Sequence, residues 1–134
     1  MRIPLDTNVW LAIVTTDGQC RRGWRATRSQ CEILSSPQIL GEIEAKLRDK
    51  FGFSVRRSRL LSRFVRQQTF AVEPVTPLPT VCRDAADNAI LAAALAGRCE
   101  RLVTGDHDLR VLKEFRGVAI LTPGEFFQSV AGAG

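Results

Sequence analysis

The chain has one histidine, three lysines and four cysteines among 134 residues, and no two cysteines form a Cys-x-x-Cys pair. These scarcities remove whole classes of chemistry. With His107 the sole imidazole and Cys20, Cys31, Cys82 and Cys99 widely spaced, no zinc ligand set can be assembled. Nor does the sequence offer a serine- or cysteine-based triad. No apolar run approaches the ~20 residues that a membrane-spanning helix requires; Ala89 to Ala96 is among the longest. Asp6 interrupts the start, Met1-Arg2-Ile3-Pro4-Leu5-Asp6, too early for a signal-peptide core. The expectation is a cytoplasmic protein with no membrane segment and with reduced, mostly buried thiols. Internal repeats and low-complexity stretches are missing too. The length fits a single domain, expected over residues 1–130 with residues 131–134 a frayed tail.

What the chain does have is arginine: sixteen against three lysines, within a net charge of +5. A planar guanidinium suits bidentate phosphate recognition, and a basic surface concentrates polyanions near a site. Arg21, Arg22, Arg25 and Arg28 fill one short stretch, and Arg56, Arg57, Arg59, Arg63 and Arg66 another. From these, Arg21, Arg25, Arg56 and Arg59 are candidate contacts to a phosphate backbone. The competing reading is solvated helix surface.

Hydrophobic patterning alternates strands with helices. Ile3 to Leu5 reads as a short buried strand despite Pro4, followed by a helix over Val9 to Val14 with Thr7 or Asn8 near its cap. Gln19 to Arg28 is expected to be helical, interrupted by Gly23 and anchored by Trp24. Cys31 to Ser35 is a second strand, after which Ser36-Pro37 opens a helix with the apolar stripe Ile39, Leu40, Ile43 and Leu47. Val55 to Gln68 is a further helix with Leu60, Leu61, Phe64 and Val65 inward, and Phe70 to Val75 is the third strand. Asp84 to Ala96 is a helix capped by Asp84 and ended by Gly97. Arg101 to Thr104 is the fourth strand, His107 to Lys113 a short helix, Val118 to Leu121 the fifth strand, and Thr122-Pro123-Gly124-Glu125 opens a terminal helix. Strands separated by helices imply parallel pairing and right-handed crossovers, hence a three-layer α/β/α sandwich.

Acidic residues recur where strands should hand over to helices. Asp6 follows the first strand, Glu42 lies in an otherwise apolar helix stretch, Asp87 falls in a first helical turn, and Asp106 and Asp108 follow the fourth strand. Open parallel sheets gather ligand groups at their carboxyl edge. Carboxylates converging there repel one another unless a hard divalent cation lies between them. Bland readings compete: Asp6 as a helix cap, Glu42 as an exposed flank, Asp87 as a partner of the helix dipole, and Asp108 as a cap or supporting group. Asp84 is assigned mainly to capping. Because Thr7 and Asn8 can supply capping oxygens, Asp6 is expected to be free for other work.

In combination, Leu5-Asp6-Thr7-Asn8-Val9, the Glu42 helix, Asp84-x-x-Asp87-Asn88-x-x-Leu91 and Val103-Thr104-Gly105-Asp106-x-Asp108-Leu109 resemble the PIN domain. The closing Ile120-Leu121-Thr122-Pro123-Gly124-Glu125-Phe126 is also similar to prokaryotic members described as toxins of toxin–antitoxin systems, so the resemblance covers nearly the whole chain. It implies a parallel sheet of order 3-2-1-4-5 and metal-dependent endoribonuclease activity with Mg²⁺ or Mn²⁺. It also implies an antitoxin partner and a homodimer. The catalytic acids carry over to Asp6, Glu42, Asp87 and Asp106, with metal ligation by Asp6, Asp87, Asp106 and Asp108 and support from Asn8 and Thr104. Three departures stand out: Pro4 in the first strand, Gly41 before Glu42, and the strongly basic Arg56 to Arg66 helix.

Two rivals remain. A haloacid-dehalogenase-like phosphatase with Asp6 as nucleophile expects an acid where Asn8 stands and a catalytic lysine; Lys46, Lys50 and Lys113 lie in no such context. A non-catalytic RNA- or protein-binding module would keep the fold without turnover. His107 as a general acid is the lesser reading beside a solvent-facing helix start.

Overall fold

The first strand, β1 (Arg2–Pro4), is buried at Ile3 and Pro4 and runs parallel to β2 (Glu32–Ser35), which in turn pairs with the two-residue β3 (Phe70–Ala71). These coordinates are a computed structural model that describes the backbone of residues 1–133 and the side chains of residues 1–130. A second sheet sets β4 (Arg101–Val103) parallel to β6 (Val118–Leu121), with β5 (Glu114–Phe115) antiparallel on its far side. One parallel bridge, Leu5 to Val103, joins the two ladders, reinforced by Asp6 N–H donating to the Val103 carbonyl at 2.9 Å. Strand N–H groups alternate in direction, so Pro4, like Asp6 two residues on, faces β4. Its missing donor therefore falls on the seam, while the β1–β2 ladder stays intact. The chain thus has the expected α/β architecture with its parallel pairs, but β1 and β4 meet at a bridge rather than along a full ladder.

Among the described residues seven helices pack on this frame: α1 (Thr7–Thr15), α2 (Gln19–Thr27), α3 (Pro37–Asp49), α4 (Val55–Gln67), α5 (Ala85–Ala96), α6 (His107–Arg110) and α7 (Pro123–Ala133). Ser36 caps α3 by accepting from Ile39 N–H at 3.3 Å, with Pro37 at the first position, where a missing donor costs nothing. Ile39, Ile43 and Leu47 form its buried stripe, and Leu40 is only half-buried. In α5 every residue from Asp87 to Ala94 is buried. Its alanines let the helix lie close against β1, β2 and β4, which draws the first-turn acid Asp87 inside. An edge-to-face aromatic chain, Trp10 to Trp24 at 6.0 Å and Trp24 to Phe64 at 5.8 Å, ties together α1, α2 and α4. Gly23 does not break α2; a Cβ there would run into the Phe127 ring, so the glycine is what lets α7 dock on α2.

Several expectations change. Leu60 on α4 is 54% exposed rather than inward, and Val65 carries that helix's apolar burial. The third strand stops at Ala71, after which Val72 N–H bonds the Ser35 carbonyl and the proline-rich segment leaves the sheet. The short helix ends at Arg110, and Glu114–Phe115 forms an edge strand that the sequence does not announce. Its turns use positive φ at Lys113 and Arg116 as well as at Gly117. The basic residues at two of those positions hide the signal that glycine would give. Helix α7 continues through Ala133, and Gly134 of the expected tail lies outside the described residues. All four cysteines are free. Among the described residues no helix is long and apolar enough to cross a membrane.

Candidate metal centre

Three carboxylates meet at the carboxyl edge of the sheets. One oxygen from each of Asp87, Asp106 and Asp108 lies within 4.8 Å of the others. Different elements deliver them. Asp87 is in the first turn of α5, whose cap Asp84 accepts from Ala86 N–H at 2.9 Å. Asp106 leaves β4 and caps α6, accepting from Asp108 N–H at 2.8 Å. That bond turns the backbone so that both side chains face the same edge, and it makes Asp106, not Asp108, the cap.

Asp6 stands beside this trio rather than in it. It caps α1, contrary to the expectation that Thr7 or Asn8 would, with one carboxylate oxygen accepting from Thr7 N–H at 2.8 Å. The reason is position: Asp6 holds the extended backbone that a cap requires, whereas Thr7 is already helical. Its other oxygen accepts from the Thr104 hydroxyl at 2.7 Å, and the same hydroxyl accepts from Asp106 N–H at 2.9 Å. Thr104 is fully buried. It is thus the mechanical link between the end of β1 and the loop after β4. Asn8, expected in the same role, is exposed on α1.

Electrostatics agree with this geometry. Asp87 is buried, 5% exposed, and its carboxyl is pushed up to about 7, first by loss of hydration and then by the charges of Asp106, Asp6, Asp84 and Asp108. Burial also raises Asp6, against the lowering effect of its two hydrogen bonds, with further upward pressure from Glu42 and Asp106. Glu42 therefore acts on Asp6 through its charge. Its own side chain is half-buried and pairs with Lys46 one turn along α3 at 3.0 Å. His107 is exposed at the first position of α6.

Two residues were given no role by the sequence reading, although Asn88 stands in one of its motifs. Arg83 sets one guanidinium nitrogen against both oxygens of Asp108, at 3.1 and 3.2 Å. Asn88 clamps the preceding loop from both sides, accepting from Cys82 N–H at 3.0 Å and donating to the Cys82 carbonyl at 2.9 Å. The available signal was adjacency: Arg83 directly precedes the cap Asp84, and Asn88 directly follows Asp87.

The arginines divide. Arg21 donates to the Ile13 carbonyl at 2.7 Å near the end of α1, Arg28 stacks on Trp24, and Arg57 lies over Phe53. Arg56, Arg59, Arg63 and Arg66 line a groove of about 720 Å³ between α3 and α4, and Arg25 is exposed on α2.

The donor set suits a cation. Three carboxylate oxygens from the starts of α5 and α6, with Asp87 pushed up to about 7 first by burial and then by its acidic neighbours, match a hard ion that retains part of its water shell. The nearby Cys82 thiol is pushed up by burial and by Asp87, Asp108, Asp106 and Asp84, away from the thiolate.

A family model described as the PIN domain matches residues 2–108. Among solved structures, VapBC2 from Rickettsia felis, determined with a DNA fragment of its promoter, is similar in fold. Its TM-score is 0.68 at 12% identity, covering 91% of this chain and 98% of that one. VapBC-1 from nontypeable Haemophilus influenzae gives a TM-score of 0.66 at 14% identity, covering 92% and 99%. The PIN domain endonuclease Utp24 gives 0.57 at 20% identity, covering 90% and 84%. No curated protein matches by sequence.

Proposed function

The chain belongs to the PIN-domain family, and from that premise we propose that it is a Mg²⁺- or Mn²⁺-dependent endoribonuclease acting as the toxin of a toxin–antitoxin pair. The observation that carries the reading is the meeting of Asp87, Asp106 and Asp108 within 4.8 Å, with Asp6 fastened alongside through Thr104. So many carboxylates at one buried edge are costly to a folded chain unless a cation offsets them. Utp24, similar in fold, is a PIN domain endonuclease, which favours this reading over the phosphatase and the binding-only module.

In this proposal Asp87, Asp106 and Asp108 hold the cation, and Asp6 supplies a fourth carboxylate, directly or through water. The chemistry such a cation brings when bound is acidification of water and neutralisation of charge on the phosphoryl oxygens and leaving group. Thr104 keeps Asp6 oriented and fixes the Asp106 backbone. Glu42 adds negative charge from α3, and its pairing with Lys46 keeps it on that helix. Arg25, Arg56 and Arg59 hold the phosphate backbone on either side of the cut, whereas Arg21 is already committed to the Ile13 carbonyl. An antitoxin polypeptide restrains the enzyme, and the chain works in the cytoplasm as a homodimer.

The test is cleavage of labelled single-stranded RNAs by the purified protein with Mg²⁺, with Mn²⁺ and with EDTA, alongside Asp106→Asn. Cleavage should need the metal and vanish in the variant without loss of folding. Cutting that persists in EDTA, or an Asp106→Asn protein as active as wild type, would overturn the assignment.

A further inference from the structure

One basic side chain reaches this centre, and the fold goes to some length to place it. Arg83 is held by its backbone on both sides: Cys82 is gripped at N–H and carbonyl by the buried Asn88 side chain, and Asp84 is fixed as the cap of α5. From that rigid base the Arg83 side chain extends into solvent, 89% exposed, and its tip returns to Asp108. Only Nη2 makes that contact, lying between the two carboxylate oxygens at 3.1 and 3.2 Å. Nε and Nη1 have no protein partner among the described residues. A surface ion pair of this kind contributes little to stability, so stability does not account for such anchoring.

Resting on the nuclease reading above, we propose that Arg83 is the substrate-binding arginine of this centre, offering a single N–H, from Nη1 or Nε, to a non-bridging oxygen of the phosphodiester beside the carboxylates. Asp108 serves two roles. Each carboxylate oxygen has two lone pairs, so it can give one to a cation and another to Arg83 Nη2. That tether restricts the guanidinium before substrate arrives and leaves its remaining N–H groups toward solvent, where the polymer must approach. A guanidinium can hold Asp108 through one nitrogen and keep another N–H in a fixed direction for phosphate, which the freely rotating ammonium of lysine does not. The tether also implies competition: without substrate, the Arg83 charge opposes binding of a divalent cation at Asp108.

The experiment compares wild type, Arg83→Ala and Arg83→Lys as full chains, on an RNA that wild type cuts. Three measurements are needed: Mn²⁺ affinity by electron paramagnetic resonance without RNA, melting temperature, and steady-state kcat and KM. In Arg83→Ala, Mn²⁺ should bind about twofold to tenfold more tightly, because a repelling charge is gone. Its kcat/KM should fall by about 10- to 100-fold, because a charge-assisted phosphate contact is lost. Melting should be unchanged, and Arg83→Lys should recover part of KM but little of kcat. A purely structural role would instead weaken Mn²⁺ binding in step with activity, and that result overturns the clamp, as does an Arg83→Ala enzyme with wild-type kinetics. If wild type neither binds Mn²⁺ nor cuts RNA, the nuclease assignment itself fails and the clamp with it.

Discussion

Replacing Asp87 by Asn should make the metal-free protein more stable, with a pH dependence that identifies the cause. Asp87 is buried among Asp106, Asp6, Asp84 and Asp108, and its carboxyl titrates near 7 in the folded chain against an ordinary 3.8. Between those values the folded state holds a proton that the unfolded state has released. Stability contributed by this residue therefore declines as pH rises from about 4 to about 7, and it is constant above that. Each pH unit between the folded and unfolded titrations is worth about 1.36 kcal/mol. The displacement from 3.8 to about 7 thus sets a ceiling of roughly 4 kcal/mol. Asp106 and Asp108 are only half-buried, so water screens part of the repulsion, and about 1–2 kcal/mol is the expected gain. For a chain of this length that corresponds to a rise of about 3–8 °C in melting temperature at pH 8. The assay is thermal unfolding followed by circular dichroism in EDTA at steps from pH 4 to 8.5. The difference between variant and wild type should be near zero at pH 4, widen to pH 7 and then level off. Adding Mn²⁺ should narrow or invert it, because wild type alone has the full ligand set. An Asn variant that melts at or below wild type at pH 8, or by the same offset at every pH, would refute the crowding argument.

Other consequences are simpler to check. Mn²⁺ affinity of wild type, measured by calorimetry, should drop about tenfold for each pH unit below about 7, since the cation must displace the Asp87 proton; affinity independent of pH from 5.5 to 7.5 would exclude Asp87 as a ligand. Thr104→Val removes the hydroxyl that joins Asp6 to the Asp106 backbone, and urea unfolding should show a loss of about 2–3 kcal/mol together with loss of RNA cleavage. Gly23→Ala improves helix propensity by about 1 kcal/mol but drives a methyl into Phe127. Overpacking should win, lowering stability by a net of about 1–2 kcal/mol, and a variant as stable as wild type would contradict the close approach of α2 and α7. Glu42→Gln should change Mn²⁺ affinity by less than about threefold, because Glu42 acts at a distance and is paired with Lys46; a loss as deep as that of Asp106→Asn would make it a direct ligand.

Local chemistry was readable where a residue's role depends on its immediate neighbours. Ser36-Pro37 announced the start of α3 and Asp84 that of α5, because a cap is decided within three or four residues. The helices and most strands followed from apolar spacing, and Asp6, Asp106 and Asp108 drew notice because they follow strands. Arg56 and Arg59 stand in an open groove, while Arg21 is spent on the α1 carbonyl of Ile13; composition treats the two alike. The same limit explains Leu60, whose helical spacing is apolar but whose neighbours leave it open to solvent.

By itself, then, the sequence determined the alternation of elements and the caps of α3 and α5, since each depends on contacts over a few residues of chain. The tertiary structure decided which acids share a site. Asp6 and Thr104 are joined across 98 residues of sequence, and Arg83 meets Asp108 across 25. No local pattern encodes such distances. They arise only when the alanine face of α5 settles on the sheet and the β1–β4 seam closes beside Pro4, bringing like charges together at one edge.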